Sequence, residues 1–116
     1  EIPIEFTAAA GVVDDVKTQA PEVTACLCLS DVIAQGVLSG FQRLGIRVPD
    51  EISIVGVDDL PSSQSTWPPL SSVHLPVRRM GTCAAEKLAQ WIETGEPAGS
   101  VKLDTTMTIR SSVKRL

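Results

Sequence analysis

Short apolar runs alternate along this chain with stretches whose apolar residues recur at helical spacing. Residues 2–6 alternate weakly and read as extended. Ala8, Val12, Val13 and Val16 can share one helix face within residues 7–19, and Pro21 stops that helix. Residues 24–29 (TACLCL) are apolar and too few for a stable helix, so they read as a buried strand. Ser30 and Asp31 follow, both good helix caps. Ile33, Ala34, Val37, Leu38, Phe41 and Leu44 then repeat as one helical stripe that Gly45 ends. After a turn at 48–51, residues 52–57 (ISIVGV) form a second buried strand that runs into Asp58 and Asp59. Residues 60–70 read as a loop, and 71–75 as a third strand closed by Pro76. Val77, Met80, Ala84, Leu88, Trp91 and Ile92 mark a long amphipathic helix ending at Gly95. Residues 101–103 and 107–109 alternate and are expected to be a final pair of strands.

Apolar strands that alternate with amphipathic helices predict an α/β fold: a mostly parallel sheet in layers, with helices on both faces. Such sheets take ligands at the carboxyl ends of their strands. Two strand ends are thereby singled out, Ser30-Asp31 and Asp58-Asp59. They are expected side by side, forming one wall of a cleft.

At 116 residues the chain is one domain or a piece of one. Its first residue is Glu1 rather than Met, so it is expected to be processed or cut from something longer. Aromatic residues make up 3%, which leaves the core to Val, Ile, Leu and Ala. The net charge of −4 repels a phosphate backbone, so these residues make a poor nucleic-acid surface. No apolar run is long enough for a membrane-spanning helix. Three cysteines, Cys26, Cys28 and Cys83, lack the spacing of a disulfide framework and read as small core residues. With His74 as the single histidine, no metal site is expected, and no cofactor either.

A carboxylate accepts two hydroxyl donors at once, which suits an aspartate at a cleft rim to a sugar, polyol or nucleoside. Asp58 leaves its strand first and should point to the rim. Asp59 should face the other way or cap the next turn. Turn formation and capping account equally for an Asp pair and for Ser30-Asp31. No nucleophile elbow, phosphate loop or dinucleotide fingerprint is present. His74 lies within a strand, where a satisfied or exposed residue is the commoner outcome.

Three segments occur in order with characteristic gaps: LCLSDVIAQGVLSGFQRLGIRVPDEISIVGVDD, WPPLSSVHLPVRRMGTCAAEKL and the ending TIRSS. On these the chain resembles the C-terminal part of the effector-binding domain of the LacI/GalR family of bacterial transcription regulators, from about Thr24 onward. The resemblance implies a periplasmic-binding-protein-like fold of two α/β lobes with a small effector in the cleft: a sugar, a sugar phosphate or a nucleobase. It also implies a cytoplasmic homodimer and operator DNA bound through an N-terminal helix-turn-helix domain that these residues do not include. Asp58 resembles the family's effector-contacting aspartate. Asp31 matches the usual Asp, and Ser30 stands where the family often has Asn. Val77 stands where some members place an aromatic beside the ligand. The helix at 32–44, with Ile33, Gly36, Val37 and Gly40, and the loop with Ser63, Ser65 and Trp67 resemble the dimer surface. The helix at about 78–94 is expected to belong to the other lobe. A solute-binding protein of a sugar transporter shares the fold and remains open on these residues, as does a small α/β enzyme using Asp58 or His74.

Overall fold

The computed structural model describes residues 6–114, with side chains described from Val12 to Lys114. The element order is α1 (Phe6–Gln19), β1 (Ala25–Leu27), α2 (Asp31–Arg43), β2 (Ser53–Val57), a 3-10 turn at Pro61–Gln64, β3 (Ser71–His74), α3 (Val77–Thr94) and β4 (Thr106–Thr108). The extended reading of 2–6 falls outside the described residues, except that Phe6 opens α1. Residues 101–103 form no strand, so the expected final pair is β4 alone.

The four strands lie in one sheet in the order β1-β2-β3-β4. β1 pairs parallel with β2, Leu27 opposite Val55, and β2 pairs parallel with β3, Val57 opposite Val73. The α/β class and the parallel sheet are those expected from the alternation of the sequence. The chain divides into two units, Glu1–His74 with Met107–Leu116, and Leu75–Thr106.

In the first unit the core lies between α2 and the sheet. Ala34, Leu38 and Phe41 come from α2, Ile52 from just before β2, Ile54 from β2, and Leu70 from the approach to β3; all are buried. Fully burying a side chain such as Phe41 or Ile54 is worth about 1.5–3 kcal/mol. Val13 of α1 joins this cluster, and α1 packs on α2. Along β2 burial alternates with period two: Ile54 and Gly56 are buried and Ser53, Val55 and Val57 only partly so. Ala25 and Leu27, which share the face of Ser53 and Val55, are exposed, Leu27 at 67%.

The last residues of the chain close the sheet. The Ser112 backbone accepts from Ile54 N at 2.8 Å, and its hydroxyl donates to Ile54 O at 2.6 Å and accepts from Ser71 N at 2.8 Å. One buried serine thereby satisfies the backbone of β2 and β3 where their pairing begins.

The second unit is built on α3. Its expected stop is confirmed: Gly95 caps it at φ 73°, a left-handed conformation that glycine adopts without penalty. None of its residues is buried, and Met80, Leu88, Trp91 and Ile92 are 45–76% exposed.

Candidate ligand-binding edge of the sheet

The parallel pairing brings the ends of β1, β2 and β3 to one edge of the first unit. Ser30-Asp31 follows β1, Asp58-Asp59 follows β2, and His74 ends β3. Ser30 is the N-cap of α2: its φ of −155° is extended, and its hydroxyl accepts from Val32 N at 3.1 Å.

Asp31, the first residue of α2, is wholly buried. A buried carboxylate is costly unless donors surround it. Here Ser63 Oγ donates to Oδ2 at 2.6 Å, Leu60 N to Oδ2 at 2.7 Å and Ser72 Oγ to Oδ1 at 2.6 Å. The helix N-terminus adds a favourable field. This corrects the expectation that Asp31 offers itself to a ligand. Its oxygens face inward and are already bonded, so only one of the two expected carboxylates remains on the cleft side.

That remaining carboxylate is Asp58, which is exposed and has no hydrogen-bond partner for its side chain among the described residues. Its backbone is unusual. Asp58 has φ 106° and Asp59 φ 52°, two successive non-glycine residues in left-handed territory. Such conformations cost on the order of 1–3 kcal/mol each and persist where their surroundings impose them. Asp59 turns away from Asp58, as expected, but it does more than cap. Arg110 Nη2 donates to its Oδ1 at 2.6 Å and Thr108 Oγ1 to its Oδ2 at 3.0 Å. His74 Nδ1 lies 3.3 Å from Oδ2. The Arg110 guanidinium holds the Asp59 carboxyl below its ordinary value, helped by the Thr108 hydroxyl and opposed by burial. Arg110 Nη1 also donates to Leu70 O at 2.6 Å, which locks the fork in place.

The sequence reasoning missed Arg110 and the inward role of Ser72. The signal was present for both: an arginine within the short TIRSS ending, and a Ser-Ser pair where a buried strand should be apolar.

The expected dimer surface is also corrected in part. Gly36, Val37 and Gly40 are buried within this chain, and Ser63 is fully buried on Asp31. Ile33 is half-buried against the core. The 61–68 loop itself covers part of α2. Gln35 Nε2 donates to Ser62 Oγ at 2.9 Å, and Gln42, two turns on, donates to the Trp67 carbonyl. Ser65 is exposed, and so is Trp67 at 83%. Val77 begins α3 in the second unit and is 67% exposed.

A hollow of about 480 Å³ lies elsewhere in the first unit, lined by Thr24, Ala25, Cys26, Ser53, Val55 and Val113 among others. It sits at the amino ends of β1 and β2 and is largely apolar. No group of three or more potential metal ligands occurs among the described residues.

A family model described as a periplasmic binding protein-like domain matches residues 3–113. The chain belongs to that family. It is 34% identical over 113 residues to the HTH-type transcriptional repressor PurR of Vibrio parahaemolyticus, covering 97% of this chain and 34% of that one. It is 34% identical over 105 residues to the ribose operon repressor of Haemophilus influenzae, covering 90% of this chain and 32% of that one. A LacI family transcriptional regulator from Enterococcus faecalis, solved with bound ribose, superposes with a TM-score of 0.85 at 25% identity, over 100% of this chain and 43% of that one. The chain thus spans about a third of the length of the curated relatives it matches. Those relatives are transcriptional repressors, and no described helix is long and apolar enough to cross a membrane.

Proposed function

We propose that this chain is the C-terminal part of the effector-binding domain of a transcription regulator, and that Asp58 receives hydroxyl groups of a small sugar-like ligand. The observation that carries the reading is the state of the three carboxylates at the strand ends. Asp31 is buried on three donors and Asp59 is paired with Arg110, while Asp58 is exposed on a strained turn at the sheet's carboxyl edge. An exposed carboxylate held by an imposed backbone is suited to bind two neighbouring hydroxyls. The family relation to a ribose operon repressor and to a structure with bound ribose supports the same class.

The geometry also favours a neutral polyol over a phosphate ester at this edge. Val32 N is taken by the Ser30 hydroxyl, and the Asp31 carboxylate already answers the α2 dipole. The N–H groups of Asp58, Asp59 and Leu60 are all bonded within the protein. An incoming phosphate would meet the exposed Asp58 carboxylate beside turn amides that are already bonded. His74, through the ring nitrogen not directed at Asp59, is proposed as a further ligand contact.

In the full-length protein the ligand would alter operator DNA binding by an N-terminal helix-turn-helix domain. The protein is proposed to act as a cytoplasmic homodimer. Calorimetric titration with D-ribose, ribose 5-phosphate and hypoxanthine tests the ligand reading. D-ribose or a related polyol should bind the full-length protein, and Asp58→Asn should weaken it by about tenfold or more, as loss of a charged hydrogen-bond acceptor does. Equal affinity in the variant would remove Asp58 from the site.

A further inference from the structure

The Asp58-Asp59 turn is held by three successive backbone N–H groups. Asp58 N donates to Val73 O at 2.9 Å, Asp59 N to Ser72 Oγ at 3.0 Å and Leu60 N to Asp31 Oδ2 at 2.7 Å. The last two acceptors are themselves joined, because Ser72 Oγ donates to Asp31 Oδ1 at 2.6 Å. One carboxylate therefore orients Ser72, which in turn receives the amide of the residue after Asp58. The same carboxylate receives the next amide directly. Gly56 makes room for it: a Cβ there would stand 2.1 Å from Asp31 Oδ1.

We propose that Asp31 and Ser72 are positioning residues for the ligand site, imposing on the Asp58-Asp59 turn the left-handed backbone that presents the Asp58 carboxylate. The turn's φ values of 106° and 52° lie where non-glycine residues rarely settle unaided. The acceptors that impose them are rigid, because Ser72 lies on a central strand and Asp31 opens a helix, both fully buried. Removing either lets the turn relax toward ordinary φ and swings the Asp58 side chain away from its bound direction. The proposal rests on Asp58 as the ligand contact.

The test compares Ser72→Ala with Ser112→Ala in the full-length protein. Ser112 is an equally buried hydroxyl that bonds Ile54 and Ser71 and not the turn. Two readouts are taken: D-ribose affinity by calorimetry, and amide exchange of residues 58–62 by mass spectrometry. Ser72→Ala should speed exchange in that segment by about tenfold and lower affinity by about tenfold, while Ser112→Ala leaves both within about twofold. Unchanged exchange in Ser72→Ala, or equal acceleration in both variants, overturns the proposal. Should Ser72→Ala fail to fold, Asp31→Asn carries the same comparison, since an amide offers only one acceptor oxygen to the two sides. Should D-ribose not bind the wild type, the ligand reading loses its probe, and the exchange comparison alone upholds or overturns the positioning claim.

Discussion

At the scale of single residues, Gly56 and Arg110 make the sharpest predictions. Gly56→Ala would place a methyl group 2.1 Å from Asp31 Oδ1 and 3.3 Å from Ala34 Cβ. A strand glycine gives no room for that carboxylate to retreat, so the variant should lose about 1–3 kcal/mol, read as a lower midpoint in urea at unchanged slope. Arg110 acts through pH. Because the folded state holds the Asp59 carboxyl below its ordinary value, the pair stabilises the fold at neutral pH. That contribution persists down to about pH 4, the ordinary carboxylate value, and is lost as pH falls further through the depressed value. Stability of the wild type should therefore fall more steeply below about pH 4 than that of Arg110→Met. Parallel acid titrations of the two would contradict the pairing. The exposed position of Asp58 at the end of β2 was legible from its place after a strand. The fate of Asp31 was not, because capping, burial and ligand contact use the same residue types in the same place. The positions of Leu60, Ser63 and Ser72, distant in sequence, decide that its oxygens turn inward.

At the scale of elements, periodicity found α2, β2 and α3 because each has a strong apolar stripe or run and a clear stop. Gly45, at φ 71°, follows the Leu44 cap of α2, and Gly95 caps α3. The final strands were harder. Residues 101–103 alternate like a strand yet form none, and the buried work of the C-terminal segment falls on Ser112, a polar residue that no hydrophobic pattern selects. α2 itself shows how one helix divides its surface. Ala34, Leu38 and Phe41 face the core, while Gln35 and Gln42 reach the 61–68 loop. Phe41→Ala should thus cost about 3–5 kcal/mol, measured by denaturant unfolding. Gln42→Ala, at an exposed position, should cost less than about 1 kcal/mol. A small effect of Phe41→Ala would show that the core between α2 and the sheet is not where the structure puts it. The Cys28 thiol is pushed up to about 11 by burial and by neighbouring Cys26. It should resist alkylation at pH 8 until the chain unfolds.

At the scale of the whole molecule, the chain divides into two units and spans about a third of the length of its curated relatives. The dimer proposal now rests on the exposed loop rather than on α2's glycines. Trp67, at 83% exposure, is the one large aromatic on that loop, and such residues often dominate interfaces. Trp67→Ser should weaken self-association by about tenfold or more in sedimentation equilibrium, with little change in unfolding midpoint; unchanged association would move the interface elsewhere. The central claim concerns which end of the sheet meets a ligand. It is tested most directly by a crystal structure of the full-length protein with whichever of D-ribose, ribose 5-phosphate or hypoxanthine binds. The account predicts ligand atoms within hydrogen-bond distance of the Asp58 carboxylate, with Asp31 still buried on Ser63, Ser72 and Leu60. A ligand seated instead in the apolar hollow at the amino ends of β1 and β2, with Asp58 still in open solvent, would contradict it.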